Sequence, residues 1–175
     1  MDLTKRSLMS AAIMLSITPL SLSAGATVAQ GSNVAGSEKV SFNNNGIRMA
    51  GNLYLPPNHN SARKYPAIVV AHPWGGVKEQ TAGLYAQQLA RKGFVTLAFD
   101  ASHYGESGGE PRDLEDPADR VQDIRSAVGY LASLPQVDAN RIGAVGVCAG
   151  GGFTLDGGQA DLRGEAAGGG GRYGH

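Results

Sequence analysis

"RIGAVGVCAGGG", residues 141–152, is the stretch on which the fold turns. Its first seven residues have the make-up of a buried strand, and a glycine-rich bend follows with Cys148, the only cysteine of the chain, at its centre. Gly146-Val147-Cys148-Ala149-Gly150 fits the spacing G-x-nucleophile-x-G. A sharp strand-to-helix turn forces its central residue into a strained backbone conformation, so the flanking residues must be small. The central side chain then projects beyond the carboxyl end of the strand at a helix N-terminus. There the helix dipole and free N–H groups favour negative charge. Cys148 is the candidate nucleophile, and the Ala149 N–H a candidate oxyanion donor. The dinucleotide-binding pattern G-x-G-x-x-G fails, because Cys148 stands where its second glycine would be.

Working outward, "YPAIVVAH" (65–72) and "FVTLAFD" (94–100) are continuous apolar runs of strand-forming residues, of the kind buried on both faces. Between them "VKEQTAGLYAQQLARKG" (77–93) reads as a helix with Arg91 and Lys92 in its last turn and Gly93 as its stop. A second helix opens with Asp116 as cap, Pro117 in the first helical position and Asp119 in the first turn. Val121, Ile124, Val128 and Leu131 then share one face. Upstream, "KVSFNNNGIRMAGNLYLP" (39–56) is two extended segments about Asn45-Gly46, a hairpin-turn dipeptide. The succession predicts an α/β fold: a mostly parallel sheet with an N-terminal β-hairpin and helices on both faces, Arg141–Val147 being a third buried strand. A second oxyanion donor is expected from "AHPWGG" (71–76), through the N–H of Trp74 or Gly75. Taken alone, His72-Pro73 reads as a strand terminator with a satisfied histidine.

"HPWGG", "LARKGFVTLAFDASHYGESGGEPRD" and "DIRSAVGYLASLPQVDANRIGAVGVCAGGG" together resemble the α/β-hydrolase superfamily, in its dienelactone-hydrolase-like branch, over residues 38–153. "DASHYGESGG" corresponds to that superfamily's D-x-x-G-x-G-x-S loop, with Tyr104 read in place of a glycine. The resemblance implies hydrolysis of an ester, lactone or other acyl bond through a covalent intermediate on Cys148. Ala149 and Trp74 would supply the oxyanion-hole N–H groups, and His72, Gly75, Asp100, His103 and Tyr104 would shape the substrate pocket. Asp100 is not expected to be the triad acid, because in this superfamily acid and base follow the nucleophile in chain order. After Cys148 the chain offers only Asp156, Asp161 and Glu165 as acids and His175 as histidine. The expectation is an N-terminal part of a hydrolase domain, truncated after the elbow and inactive by itself. A non-catalytic scaffold or binding module derived from a hydrolase is the alternative.

Lys+Arg and Asp+Glu are equal at 15 each, which gives no electrostatic case for nucleic acid or an anionic membrane as partner. Residues 1–29 combine Lys5 and Arg6 with an apolar stretch and small residues at Ala24–Ala29, the pattern of a secretory signal peptide. Export to the periplasm or outside the cell is expected, with no stable membrane insertion once the leader is cleaved. A lone cysteine builds no disulfide there. Residues 30–37 read as a flexible lead-in, 38–156 as the hydrolase part and 157–175 as a Gly-rich tail, disordered or out of frame. No cluster of ligand spacing suggests a metal, and no cofactor is expected. The expected partner is a small-molecule acyl substrate.

Overall fold

The computed structural model describes residues 36–159. The expected leader at 1–29 and the tail beyond residue 159 lie outside the described residues. Five strands and three helices follow in the order β1 (Ser37–Asn44), β2 (Ile47–Tyr54), β3 (Tyr65–Ala71), α1 (Thr81–Arg91), β4 (Val95–Phe99), α2 (Pro117–Ser133), β5 (Val137–Gly146) and α3 (Ala149–Gln159). The strands form one sheet in the spatial order β1-β2-β4-β3-β5. β1 and β2 are antiparallel, as are β2 and β4, whereas β3 runs parallel to both β4 and β5. The hairpin turns where expected: Asn45 and Gly46 have φ of 47° and 91°, the positive values that a two-residue turn of this hand demands.

Alternation along the strands divides the interior into two layers. Val69 and Leu97 pack on one face with Ile124, Ala127, Val128 and Leu131 of α2. Val70 and Ala98 pack on the other face with Ala82, Ala86 and Ala90 of α1. Helices therefore cover both faces, and the small alanines of α1 let it lie close to the sheet.

Helix α2 begins as its sequence dictates. The Asp116 side chain accepts the Ala118 and Asp119 N–H groups at 2.8 and 3.2 Å, with Pro117 in the first turn. Helix α1 stops before Gly93, whose N–H reaches the Ala90 carbonyl at 2.9 Å and whose φ of 101° lets the following Phe94 N–H reach the Leu89 carbonyl at 3.4 Å. Two expectations need correction. Helix α1 starts at Thr81 rather than Val77, because the Lys78 backbone and side chain are both committed to Asp100. Strand β5 is not buried like β3 and β4: from Asp138 to Gly146 it is half-buried or exposed. It pairs with β3 alone, and among the described residues no strand lies on its outer side.

Candidate active site

Cys148 occupies the turn between β5 and α3 with φ of 56°, in the left-handed region, and its side chain is exposed. The flanking glycines are there for steric reasons. A Cβ on Gly146 would collide with the Gly150 carbonyl and the Gly151 nitrogen. A Cβ on Gly150 would come within 2.7 Å of the His72 carbonyl oxygen and 2.9 Å of that of Ala71. The Val147 N–H donates to the Ala71 carbonyl at 3.2 Å. The bend is thus pressed against the end of β3, where the second candidate donor lies.

In that loop the Gly76 N–H closes a turn onto the Pro73 carbonyl at 3.0 Å, with Gly75 at φ of 65°. The bond leaves the Trp74 and Gly75 N–H groups unspent in the turn, and the Trp74 side chain stands out in solvent. Ala149 is the first residue of α3, where N–H groups have no helical acceptor. Because Ala71 and Gly146 are paired across β3 and β5, both sets of donors leave the same end of neighbouring strands.

His72 is fully buried. Its Nε2 accepts the Ala101 N–H at 3.0 Å, so the ring proton resides on Nδ1 and is donated to the Pro73 carbonyl at 2.7 Å. Arg120 of α2 lies over it, with Nη1 3.0 Å from Nε2 and Nη2 donating to the His72 carbonyl at 2.6 Å. Burial, reinforced by the Arg120 charge, holds the imidazole below its ordinary pKa.

Asp100 is likewise fully buried. Its carboxylate receives the Lys78 N–H and the Lys78 ammonium, both at 2.7 Å, and the Glu106 N–H at 2.9 Å. It ties the loop after β3 to the loop after β4. Burial pulls the Lys78 ammonium downward, but hydrogen bonds to Asp100, Glu106 and Glu79 outweigh it and raise its pKa. Glu106 in turn is lowered to about 2, chiefly by Lys78 and then by Lys39.

In the loop after β4, the residue forced into a glycine-like conformation is His103, with φ of 75°, and not Tyr104. It stands three residues after Asp100, where the loop pattern has its first glycine. Gly105, with φ of 50°, meets the Asp100 carboxylate so closely that no Cβ fits. His103 is buried, with Nδ1 3.0 Å from the Pro111 carbonyl and Nε2 3.4 Å from Asp119. The Tyr104 hydroxyl donates to the Asp113 carbonyl at 3.3 Å, and its ring meets His72 edge-on.

Three buried charged groups of this site went unread in the sequence: Lys78, Arg120 and Asp123. The Asp123 carboxylate accepts the Ser102 N–H, the Ser102 hydroxyl and the Asn44 amide at 2.8, 2.6 and 2.6 Å, and burial raises its pKa. For two of them a signal existed. Arg120 lies four residues before Ile124, and Asp123 four before Ala127 and eight before Leu131, so both fall on the buried face of α2. No comparable signal marks Lys78.

The model of the "Dienelactone hydrolase family" matches residues 49–168. The chain belongs to the dienelactone hydrolase family. It is 53% identical over 135 residues to YcjY, an uncharacterized protein of Escherichia coli, covering 75% of this chain and 44% of that one. A crystal structure of the hypothetical protein PA2218 from Pseudomonas aeruginosa superposes with a TM-score of 0.72 at 47% identity, over 75% of this chain and 41% of that one. The α/β hydrolase GrgF from a Penicillium species gives a TM-score of 0.67 at 25% identity, over 73% and 43%. The chain therefore spans less than half the length of these relatives. The described sheet and helices are part of the α/β-hydrolase fold, and within this dienelactone hydrolase family member the Cys148 bend lies at the carboxyl end of a parallel strand.

Proposed function

We propose that the protein carrying this sequence hydrolyses a small-molecule ester, lactone or thioester, with Cys148 as nucleophile. The observation that carries this reading is the exposed Cys148 at φ of 56° between two glycines that tolerate no side chain. Such strain persists where surrounding structure over-determines it, and it clusters at reactive sites. The thiolate sulfur adds to the acyl carbon, the carbonyl oxygen takes the negative charge, and the Ala149 and Trp74 N–H groups face it. Collapse breaks the bond to the leaving alkoxide or thiolate, which takes up a proton. Water then cleaves the thioester and restores the thiol. Lys78 and Asp100 anchor the loop that carries Trp74, and Arg120 holds the His72 carbonyl at its start and packs on Phe153 beside the Cys148 bend.

Among the described residues no histidine follows Cys148 and Asp156 is the acid that does. This reading gives the chain its nucleophile and oxyanion donors and expects slow deacylation from it alone. The matching experiment is stoichiometric rather than catalytic. With p-nitrophenyl acetate the chain should release one equivalent of phenolate and gain one acetyl group on Cys148, and Cys148→Ala should do neither. An acetyl group found elsewhere, or an equal burst from Cys148→Ala, removes Cys148 from this role and favours a non-catalytic scaffold. The reading extends to export: Lys5, Arg6 and the apolar run after them act as a leader, and N-terminal sequencing of the mature protein should begin between Gly25 and Gly31.

A further inference from the structure

We propose that Arg120 is a positioning residue that sets the gap between the 72–76 loop and the Cys148 bend; this rests on the acyl-transfer reading. Arg120 touches both sides of that gap. Nη2 grips the His72 carbonyl at 2.6 Å, and the guanidinium carbon lies 5.3 Å from the centre of the Phe153 ring, on the first turns of α3. The same His72 carbonyl is the atom against which Gly150 is closed. One planar group therefore holds the end of β3, two residues before Trp74, and the helix that opens at Ala149.

A guanidinium is costly to bury in this place. Arg120 is 3% exposed, and its carboxylate neighbour Glu115 is 3.6 Å from Nε, beyond the length of a charge-assisted hydrogen bond. A buried ion pair replaced whole by apolar groups of similar volume is often neutral for stability. What they cannot reproduce is a flat face against one loop with donors along its edge for another. The base from which Arg120 acts is rigid. Helix α2 is capped by Asp116 one turn before it, and fastened by Asp123 to Ser102 one turn after it.

The chain carries its own ruler, because its single tryptophan, Trp74, and its single cysteine, Cys148, stand on the two sides of the gap. A nitroxide attached to Cys148 quenches Trp74 fluorescence only at short range. The test compares wild type with R120M and R120K, reading quenching, the rate and half-saturation of Cys148 acetylation, alkylation by iodoacetamide, and the far-ultraviolet melting curve. In wild type quenching is expected to be strong. In R120M it is largely relieved, and the saturating acetylation rate falls about 10²-fold, the scale of a misplacement near 1 Å. Half-saturation and alkylation, which need no aligned oxyanion donor, stay within about twofold on the same argument. R120K keeps the charge without the flat face and falls between the two. Should R120M fail to fold, R120K alone decides. Wild-type quenching and acetylation in a folded variant overturn the proposal. So does a loss of both, and of alkylation, in step with the unfolded fraction. Failure of wild type to be acetylated on Cys148 overturns the acyl-transfer reading instead, while the quenching comparison still decides whether Arg120 sets the gap.

Discussion

Gly146 and Gly152 stand six residues apart and make opposite demands. A methyl group on Gly146 meets the backbone of Gly150 and Gly151, whereas one on Gly152 meets nothing within 4 Å. Gly146→Ala is expected to cost about 1–3 kcal/mol by overpacking. Gly152→Ala, in the interior of α3, should stabilise by about 0.5–1 kcal/mol; paired urea titrations would show midpoints moving in opposite directions. The Lys78–Asp100 pair gives a second forecast. Lys78→Met leaves a fully buried carboxylate with two backbone N–H donors and no cation, so the loss should be about 3 kcal/mol, the low end for a broken buried pair. A midpoint shift of a few tenths of a kcal/mol would show that the N–H groups alone satisfy Asp100. The contrast explains what the sequence disclosed. The steric rule at Gly146 acts between residues within five positions and is written in the local pattern. Lys78 acts across 22 positions and leaves no periodic trace; Asp123 reaches Asn44 across 79, and only its place on the buried face of α2 was written locally.

Helix α2 was legible because its cap, its proline and its apolar stripe all lie within its own span. Asp116→Ala should remove about 1 kcal/mol, since two N–H groups lose their acceptor, and denaturation by urea is the direct measurement. A loss below a few tenths would mean that water replaces the cap at no cost. Helix α1 was legible at its glycine stop but not at its start, where a tertiary bond to Asp100 overrides the propensity of residues 77–80. Strand β5 was legible as a strand but not in its exposure, because its composition is set for two covered faces and two neighbours. Among the described residues its outer edge is unpaired, a template for pairing with another chain. Gly143 is exposed there, and a Cβ added to it meets nothing. Gly143→Lys should reduce concentration-dependent association in sedimentation velocity without lowering the melting temperature. Unchanged association would place the contact elsewhere.

For the molecule as a whole, family membership and the order of elements were visible in "HPWGG" and "VCAGGG", while the loop-to-loop clamp of Lys78, Arg120 and Asp100 emerged only in three dimensions. That clamp has an acid limit. His72 is neutral in the fold, with its Nε2 lone pair facing both the Ala101 N–H and Arg120; Tyr104 also packs against the ring, and Asp100 and Glu115 pull the other way. Its folded pKa is lowered, so the unfolded chain binds the proton more readily. The contribution is complete above the ordinary histidine value of about 6.5 and is lost as pH falls through the folded pKa. Melting temperatures should drop on acidification below that value, and His72→Gln should flatten the drop; an unaltered profile would assign it to other groups. The strand order carries a last consequence, for time rather than for geometry. Strand β3 lies between β4 and β5, yet β5 is made some seventy residues after β3. As the chain emerges, the hairpin, β3, α1 and β4 can close among themselves, while the far edge of β3 waits. Of the described strands, the one that arrives last brings the thiol with it, so Cys148 takes its strained shape on strands already laid down. In hydrogen exchange, among the described strands, β5 amides should open first and β4 amides last, making reactivity at Cys148 a report that β5 has docked on β3.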